Sequence, residues 1–246
     1  DGHCFCREDQ IKDEFLALLL VIKEAMQTYG MRYHVRLSLR DESNTKKYLG
    51  DDATWKKAQE ILIDLLKEKK IDHVVAEGEA AFYGPKMDLM ATDALSREWQ
   101  ISTIQLDLNM PTRFGLEYID ETGKRQTPVM IHAAIVGSPE RFLGILLEHY
   151  AGAFPLWLAP VQVSVLPIND TLIPYANGVA QQLREQGIRV ELDDSKESLG
   201  KKIRNAEMNK IPYCLILGDR EAKQQQVSVR KKGCGQQGAV VLEEFM

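Results

Sequence analysis

Between residues 128 and 142 the chain runs Pro-Val-Met-Ile-His-Ala-Ala-Ile-Val-Gly-Ser-Pro-Glu-Arg-Phe. An apolar run carrying one histidine, His132, reads as a strand. Gly-Ser-Pro breaks it, and a helix opens with Arg141 in its first turn. Ser138 is a natural N-cap and Pro139 suits the first helical position. Phe142, Ile145, Leu146 and His149 then follow at helical spacing. A cation fixed beside the electropositive start of a helix is a place to hold phosphate, and a histidine at the strand end can reach the same cavity. The same residues also suit a core histidine and a solvated helix arginine. This segment alone leaves both readings open.

The totals narrow the class of protein. A chain of 246 residues buries a sizeable core in one or two domains. With 44% hydrophobic and 27% charged residues it reads as an ordinary soluble protein. No apolar stretch reaches transmembrane length, although Phe15 to Ile22 is a short apolar run. The acidic start, Asp1-Gly2-His3, lacks the basic and apolar regions of a signal peptide. It also lacks a methionine, which predicts a start inside a longer polypeptide. Cys4, Cys6, Cys214 and Cys234 form neither a disulfide framework nor a complete zinc pattern, so reduced, cytoplasmic thiols are expected. A net charge of −5 argues against a chain-wide nucleic-acid surface. Residues 1–158 hold 19 Lys+Arg against 25 Asp+Glu, and residues 159–246 hold 12 against 11. Any nucleic-acid contact is therefore expected to be local and in the C-terminal part.

Periodicity lays out the elements. Ile11 to Tyr29 predicts a helix closed by Gly30, and Tyr33 to Leu39 a strand. Arg40 to Gly50 is polar and reads as a loop. Asp52 is the expected cap of a second helix, with Trp55, Ala58, Ile61, Leu62, Leu65 and Leu66 on one face. Strands are expected near Val74-Val75 and over Met87–Ala91, Trp99–Leu108, Leu116–Ile119 and Pro128–Val136, with a hairpin turn at Asp120–Gly123. Consecutive strands flanked by helices predict an antiparallel sheet in an α+β domain. Phe154-Pro155-Leu156-Trp157-Leu158-Ala159-Pro160 is a stiff junction, which places a domain boundary near residue 156 and gives domains 1–156 and 157–246. Beyond it strands and helices alternate. Val161–Leu166, Arg189–Leu192, Tyr213–Leu217 and Val227–Arg230 read as strands, and Leu172–Gln186 and Leu199–Met208 as helices. That is the pattern of a small α/β domain.

Two further segments carry candidate chemistry. Glu77-Gly78-Glu79-Ala80-Ala81-Phe82-Tyr83-Gly84-Pro85-Lys86-Met87-Asp88 is a stiff loop ending in Tyr83 and Lys86. It suits either a polar pocket or a turn with an aromatic plug. In Trp99–Leu108, period two puts Thr103, Gln105 and Asp107 on one face and Ile104, Leu106 and Leu108 on the other. A sheet face with Thr, Gln and Asp is either solvated or the floor of a polar site.

Together, Gly-Glu-Ala-Ala-Phe-Tyr-Gly-Pro-Lys, then Trp-Gln…Thr-Ile-Gln-Leu-Asp, then Val-Met-Ile-His…Gly-Ser-Pro-Glu-Arg-Phe resemble, in this order, the catalytic domain of threonyl-tRNA synthetases, with the last segment resembling class II motif 3. Asp1-Gly2-His3-Cys4-Phe5-Cys6 looks like the tail of that family's motif 2. Leu199-Gly200-Lys201-Lys202-Ile203-Arg204-Asn205-Ala206…Ile211-Pro212-Tyr213 resembles the class IIa anticodon-binding domain. The resemblance implies an α+β class II catalytic domain, present in part, followed by a small mixed-sheet α/β anticodon-binding domain.

It also implies roles. His3 and His132 match two histidine ligands of a zinc ion that binds the amino group and hydroxyl of threonine and so rejects valine. Asp1 matches an acid that accepts from that hydroxyl. Tyr83 matches a tyrosine near the substrate amine, with Lys86 and Gln105 lining the same pocket. Gln100 and Thr103 match positions near the ATP ribose and phosphates, and Arg141 an arginine lying against ATP with its Mg²⁺. Glu221 and Arg230 match positions that read anticodon bases. The implied activity is ATP-dependent ligation of threonine to tRNA(Thr), with a homodimer in the full-length protein. A tRNA-binding paralogue without catalysis is the alternative. The family's third zinc ligand, a cysteine, its motif 1 and the motif 2 arginine belong upstream of these residues, so the isolated chain is expected not to aminoacylate. Ala133 replaces a usual arginine, which suggests a cation missing near the site. Gln100 has the wrong parity for the Thr103 face unless a bulge lies near Ile101.

Overall fold

The computed structural model describes residues 1–246, which divide into two compact units, Asp1–His149 and Tyr150–Met246. The expected boundary near residue 156 thus falls inside the second unit, after the division at His149.

In chain order the first unit holds β1 (Gly2–Cys6), α1 (Ile11–Thr28), β2 (Arg32–Leu39), α2 (Asp52–Glu68), β3 (His73–Glu77), β4 (Lys86–Thr92), β5 (Glu98–Asp107), α3 (Met110–Arg113), β6 (Tyr118–Ile119), β7 (Arg125–Gln126), β8 (Val129–Ala134) and α4 (Pro139–His149). Six strands form one sheet in the order β1-β8-β5-β4-β2-β3. Every neighbouring pair is antiparallel except β2 and β3, which are parallel because α2 carries the chain between them. β6 and β7 form a separate ribbon. The strand expected over Leu116–Ile119 is therefore two residues long and outside the main sheet.

α1 buries Ile11, Phe15, Leu19, Ile22 and Met26, a stripe spaced to face one side. It lies on the sheet face made by Leu37, Met87, Leu89, Ile104, Leu106 and Ile131, each at most 1% exposed. Gly30, at φ +64°, closes the helix, and the Met31 N–H reaches back to the Met26 carbonyl. α2 is tied to the start of α1 by the Lys12–Glu68 ion pair and to the turn before α1 by Lys57–Glu8. Its cap is Asp51, whose side chain accepts from the Thr54 N–H at 2.7 Å, and not Asp52, which pairs with Arg40. Asp51 has the extended backbone an N-cap needs, whereas Asp52 is already helical.

The second unit contains β9 (Val163–Pro167), α5 (Ile173–Glu185), β10 (Val190–Leu192), α6 (Leu199–Met208), β11 (Tyr213–Leu217), α7 (Asp219–Gln224), β12 (Gln226–Lys231), β13 (Gly235–Val241) and α8 (Leu242–Phe245). Its sheet, β10-β9-β11-β12-β13, is parallel over the first three strands and antiparallel thereafter. Val163, Val165, Leu215 and Leu217 pack on Ala176, Val179, Ala180 and Leu183 of α5, and Leu166 and Cys214 pack with Ala206 of α6. This is the small α/β domain expected from the alternating pattern, with the mixed sheet that the resemblance implies. Its polar α7 and the glycine-rich β13 carry weak hydrophobic periodicity and were not expected. No helix is long and apolar enough to cross a membrane.

Candidate functional site

The face of the first sheet turned away from α1 is polar, and its side chains stand in rows. His3 is opposite His132, His132 opposite Gln105, Gln105 opposite Lys86, and Lys86 opposite Ser38. Directly paired residues share a face, so these five residues form one line across five strands. The next row is Ala134, Thr103, Asp88 and Arg36. Residues from positions 3 to 132 thereby meet on one floor.

The histidine end is aromatic. The His3 and His132 rings stand edge to face with centroids 4.8 Å apart. Tyr83 stacks on His132 at 4.7 Å, and its hydroxyl donates to Gln105 Oε1. Burial, and then the negative Asp107, push the Tyr83 phenol up, so it remains a donor. His132 Nε2 lies 2.9 Å from Oδ2 of the wholly buried Asp107. The Tyr83 loop sits tightly on β5: a Cβ on Gly84 would lie 1.9 Å from the Leu106 carbonyl oxygen, so only glycine allows this approach.

The other end is an ionic cluster around Asp88, whose side chain is fully buried. It accepts from Lys86 Nζ at 2.8 Å, Arg36 at 2.9 Å, Ser38 Oγ at 2.7 Å and the Gln100 amide at 2.9 Å. Lys86, expected to line the pocket, is thus held through its charge by Asp88. A bulge brings Gln100 here. Leu89 pairs with Ser102 but Met90 pairs with Gln100, leaving Ile101 unmatched and turning Gln100 onto the Thr103 face. The hydroxyl of Thr103 is buried without a hydrogen-bond partner.

The same bulge seats Arg141. Its guanidinium donates to the Gln100 carbonyl at 2.8 Å. Gly137, at φ +62°, lets the turn pass close to the Ile101 carbonyl, which a Cβ there would meet at 3.0 Å. Ser138 caps α4: its carbonyl accepts from the Phe142 N–H at 2.9 Å and its Oγ from the Arg141 N–H at 3.3 Å. Arg141 thus touches the Gln100 backbone, while the Gln100 side chain and Thr103 both lie against Asp88. Asp1 precedes β1 and has the parity of His3. Ala133 does not bear on this face. It pairs with Gly2 and Ile104 on the α1 side and is buried there, so the arginine it replaces has no place on the polar floor. Cys4 also faces away, with its thiol 3.6 Å from Glu14 of α1.

Sequence reasoning missed Arg36, Ser38 and the central place of Asp88. The alternation of Arg32, His34, Arg36 and Ser38 with Tyr33, Val35, Leu37 and Leu39 along β2 was the available signal.

The spacing of His3 and His132 is compatible with two donors to one metal ion. Two imidazoles bound tetrahedrally at zinc distances have ring centres roughly 5 Å apart, close to the 4.8 Å seen. A ligating histidine also commonly gives its other nitrogen to a carboxylate, and His132 Nε2 lies against Asp107 Oδ2. These are two donors; no group of three or more His, Cys, Asp or Glu side chains suited to a metal is present.

In the second unit Arg230, on β12, pairs with Glu207 at 2.9 Å and borders a cleft of about 440 Å³ with Lys232, Gly233 and Gly235. Lys231 stands over the Tyr213 ring at 5.8 Å. Burial, and then Lys210, push the Lys232 amine down. Glu221 instead accepts from the Gly218 N–H at 3.0 Å in α7, beyond the far end of β11 from the Arg230–Cys214 pair. Glu221 and Arg230 do not form one cluster.

Known proteins resemble both units. Residues 1–150 match the family model described as tRNA synthetase class II core domain (G, H, P, S and T), and residues 162–246 match the anticodon binding domain. The chain is 50% identical over 236 residues to a threonine–tRNA ligase of Rubrobacter xylanophilus, covering 96% of this chain and 37% of that protein. It is 46% identical over 246 residues to one of Porphyromonas gingivalis, covering 100% and 38%. The crystal structure of the RNA binding domain of threonyl-tRNA synthetase from Cryptosporidium parvum Iowa II superposes with a TM-score of 0.92 at 35% identity, covering 99% of this chain and 60% of that one. The chain thus spans about 38% of the length of such relatives.

Proposed function

The chain belongs to the threonyl-tRNA synthetase family of class II synthetases, and from that premise we propose that it supplies the amino-acid and ATP floor and the anticodon-binding domain of a threonine–tRNA ligase. The observation that carries this reading is the row His3–His132–Gln105–Lys86 with Tyr83 stacked above it.

The reaction joins the threonine carboxylate to the α-phosphorus of ATP, releasing pyrophosphate, and then passes the threonyl group to the terminal ribose of tRNA(Thr), releasing AMP. A zinc ion held by His3 and His132, with a third donor from outside these residues, would bind the amino group and hydroxyl of threonine. A site built for a hydroxyl rejects an analogue lacking it by about 10⁴ in favourable cases, which excludes valine. Asp1 accepts from the same hydroxyl. Tyr83 and Gln105, already hydrogen-bonded to each other, orient the amine side of the substrate. Gln100 and Thr103 hold the ribose and phosphates of ATP, and Arg141 lies against the nucleotide from the start of α4. Catalysis by such residues is positioning and charge neutralisation, with Mg²⁺ on the phosphates.

Residues 162–246 dock the anticodon of tRNA(Thr), with Arg230 and Glu221 meeting bases. We take the complete enzyme to be a cytoplasmic homodimer longer than these residues. Threonine-dependent ATP–pyrophosphate exchange tests the reading, run on this chain and on one extended upstream with the missing segment of a relative. Activity in the extended protein alone is the expected result. Silence in both, with both folded and zinc supplied, leaves tRNA binding without catalysis.

A further inference from the structure

We infer that Asp107 is a positioning residue that decides which nitrogen of His132 carries the proton, and so which one is available to a metal ion beside His3. The inference deepens the zinc reading above and rests on it for the identity of the metal.

Asp107 closes β5 with its side chain wholly buried. One carboxylate oxygen, Oδ1, accepts from the backbone N–H groups of Asn109 at 2.8 Å and Met110 at 2.9 Å. The other, Oδ2, faces His132 Nε2 at 2.9 Å. With Oδ1 taken by two N–H donors, Oδ2 faces the ring as an acceptor, which places the proton on Nε2 and the lone pair on Nδ1. A metal binds the lone-pair nitrogen, and the tautomer of a ligating histidine is set by what its other nitrogen bonds.

The turn after Asp107 holds the ring plane as well. Asn109 Nδ2 donates to the Tyr83 carbonyl at 2.8 Å, and Tyr83 stacks on His132. Asn109 is itself fitted against Gly50, where a Cβ would come within 2.0 Å of its Oδ1. Asp107 and Asn109 thus fix the hydrogen bond and the stacking partner of one imidazole.

The isosteric change Asp107→Asn makes the inference sharp. The Asn109 and Met110 N–H groups need an acceptor, so the amide oxygen stays with them and the amide NH₂ faces Nε2. Nε2 must then accept, and the proton moves to Nδ1, the nitrogen the metal requires.

¹⁵N NMR of the metal-free 246-residue chain, labelled at histidine, reads the tautomer directly. The expected result is Nε2–H at His132 in the unsubstituted chain and Nδ1–H in Asp107→Asn. Zinc titration of the upstream-extended protein, followed on the His3 and His132 signals, is expected to show affinity about tenfold to a hundredfold weaker in the variant. Nδ1–H in the unsubstituted chain overturns the inference, and that measurement needs no variant to fold. An unchanged tautomer in a variant with an intact amide spectrum overturns it equally. Nε2–H at His132 with no response of either imidazole to zinc in the upstream-extended protein, which supplies the third donor, overturns the zinc reading and leaves the role of Asp107 in the tautomer standing.

Discussion

His3 and His132 lie 129 positions apart in the chain and directly opposite each other on β1 and β8, their ring centres 4.8 Å apart. Their contact depends on an antiparallel pairing that puts both on the sheet face turned away from α1. The polar floor beside them depends on the same registers, and each of its supports can be removed singly.

Gly84 is the most sensitive backbone position. Alanine there would put a Cβ 1.9 Å from the Leu106 carbonyl oxygen, an atom held in the sheet. Gly84→Ala is expected to lift the Tyr83 loop off β5 and to lower stability by about 1–3 kcal/mol or more. Urea unfolding measures the second effect. Loss of the Tyr83–His132 stacking, read from the His132 ring shifts, measures the first.

Asp88 neutralises two cations on the floor. Asp88→Ala would leave Lys86 and Arg36 facing each other with no carboxylate between them. Breaking a buried pair by removing one partner costs about 3–5 kcal/mol, and a fall of that size in unfolding free energy is expected. A loss under 1 kcal/mol would show that water or Glu79, 4.0 Å from Arg36, takes over.

Asp120 gives a pH signature in the β6–β7 turn. Hydrogen bonds from the Thr122 hydroxyl and the Gln126 amide, with the Lys124 N–H, pull its carboxyl down to about 2. A group whose folded pKa is depressed stabilises the fold above its unfolded value and loses that contribution as pH falls through the folded one. The stability difference between the unsubstituted chain and Asp120→Asn should therefore be constant above about pH 4 and shrink on acidification towards pH 2. Titration of the Asp120 carboxyl by NMR checks the midpoint.

Arg230 is held by Glu207 in the cleft of the second unit. On the anticodon reading it must exchange that partner for RNA. Arg230→Ala is expected to weaken tRNA(Thr) binding and to lower its logarithmic salt slope by about one, whereas Glu207→Gln should leave the slope unchanged and bind no more weakly. Filter binding at several salt concentrations separates the two. Equal losses from both variants would assign the pair a structural role.

The sequence alone determined most of the elements and the alternation of faces along the regular strands, because both follow from local spacing. Period two in β5 separates Thr103, Gln105 and Asp107 from Ile104 and Leu106. Ser138 and Pro139 mark the start of α4, and the motif residues point to the family. Local signals erred by one residue at the α2 cap, where Asp51 and Asp52 differ only in backbone conformation.

Only the tertiary structure decided which residues meet. The line from His3 through His132, Gln105 and Lys86 to Ser38 needs four strand registers, and register is set by burying the opposite face against α1, a long-range condition. The unmatched Ile101 restores Gln100 to the floor, a parity change that no alternating pattern displays. Arg36 and Ser38 became part of the site, and Ala133 left it, for the same reason: a strand's own period says which residues share a face, while its neighbours decide what that face looks upon.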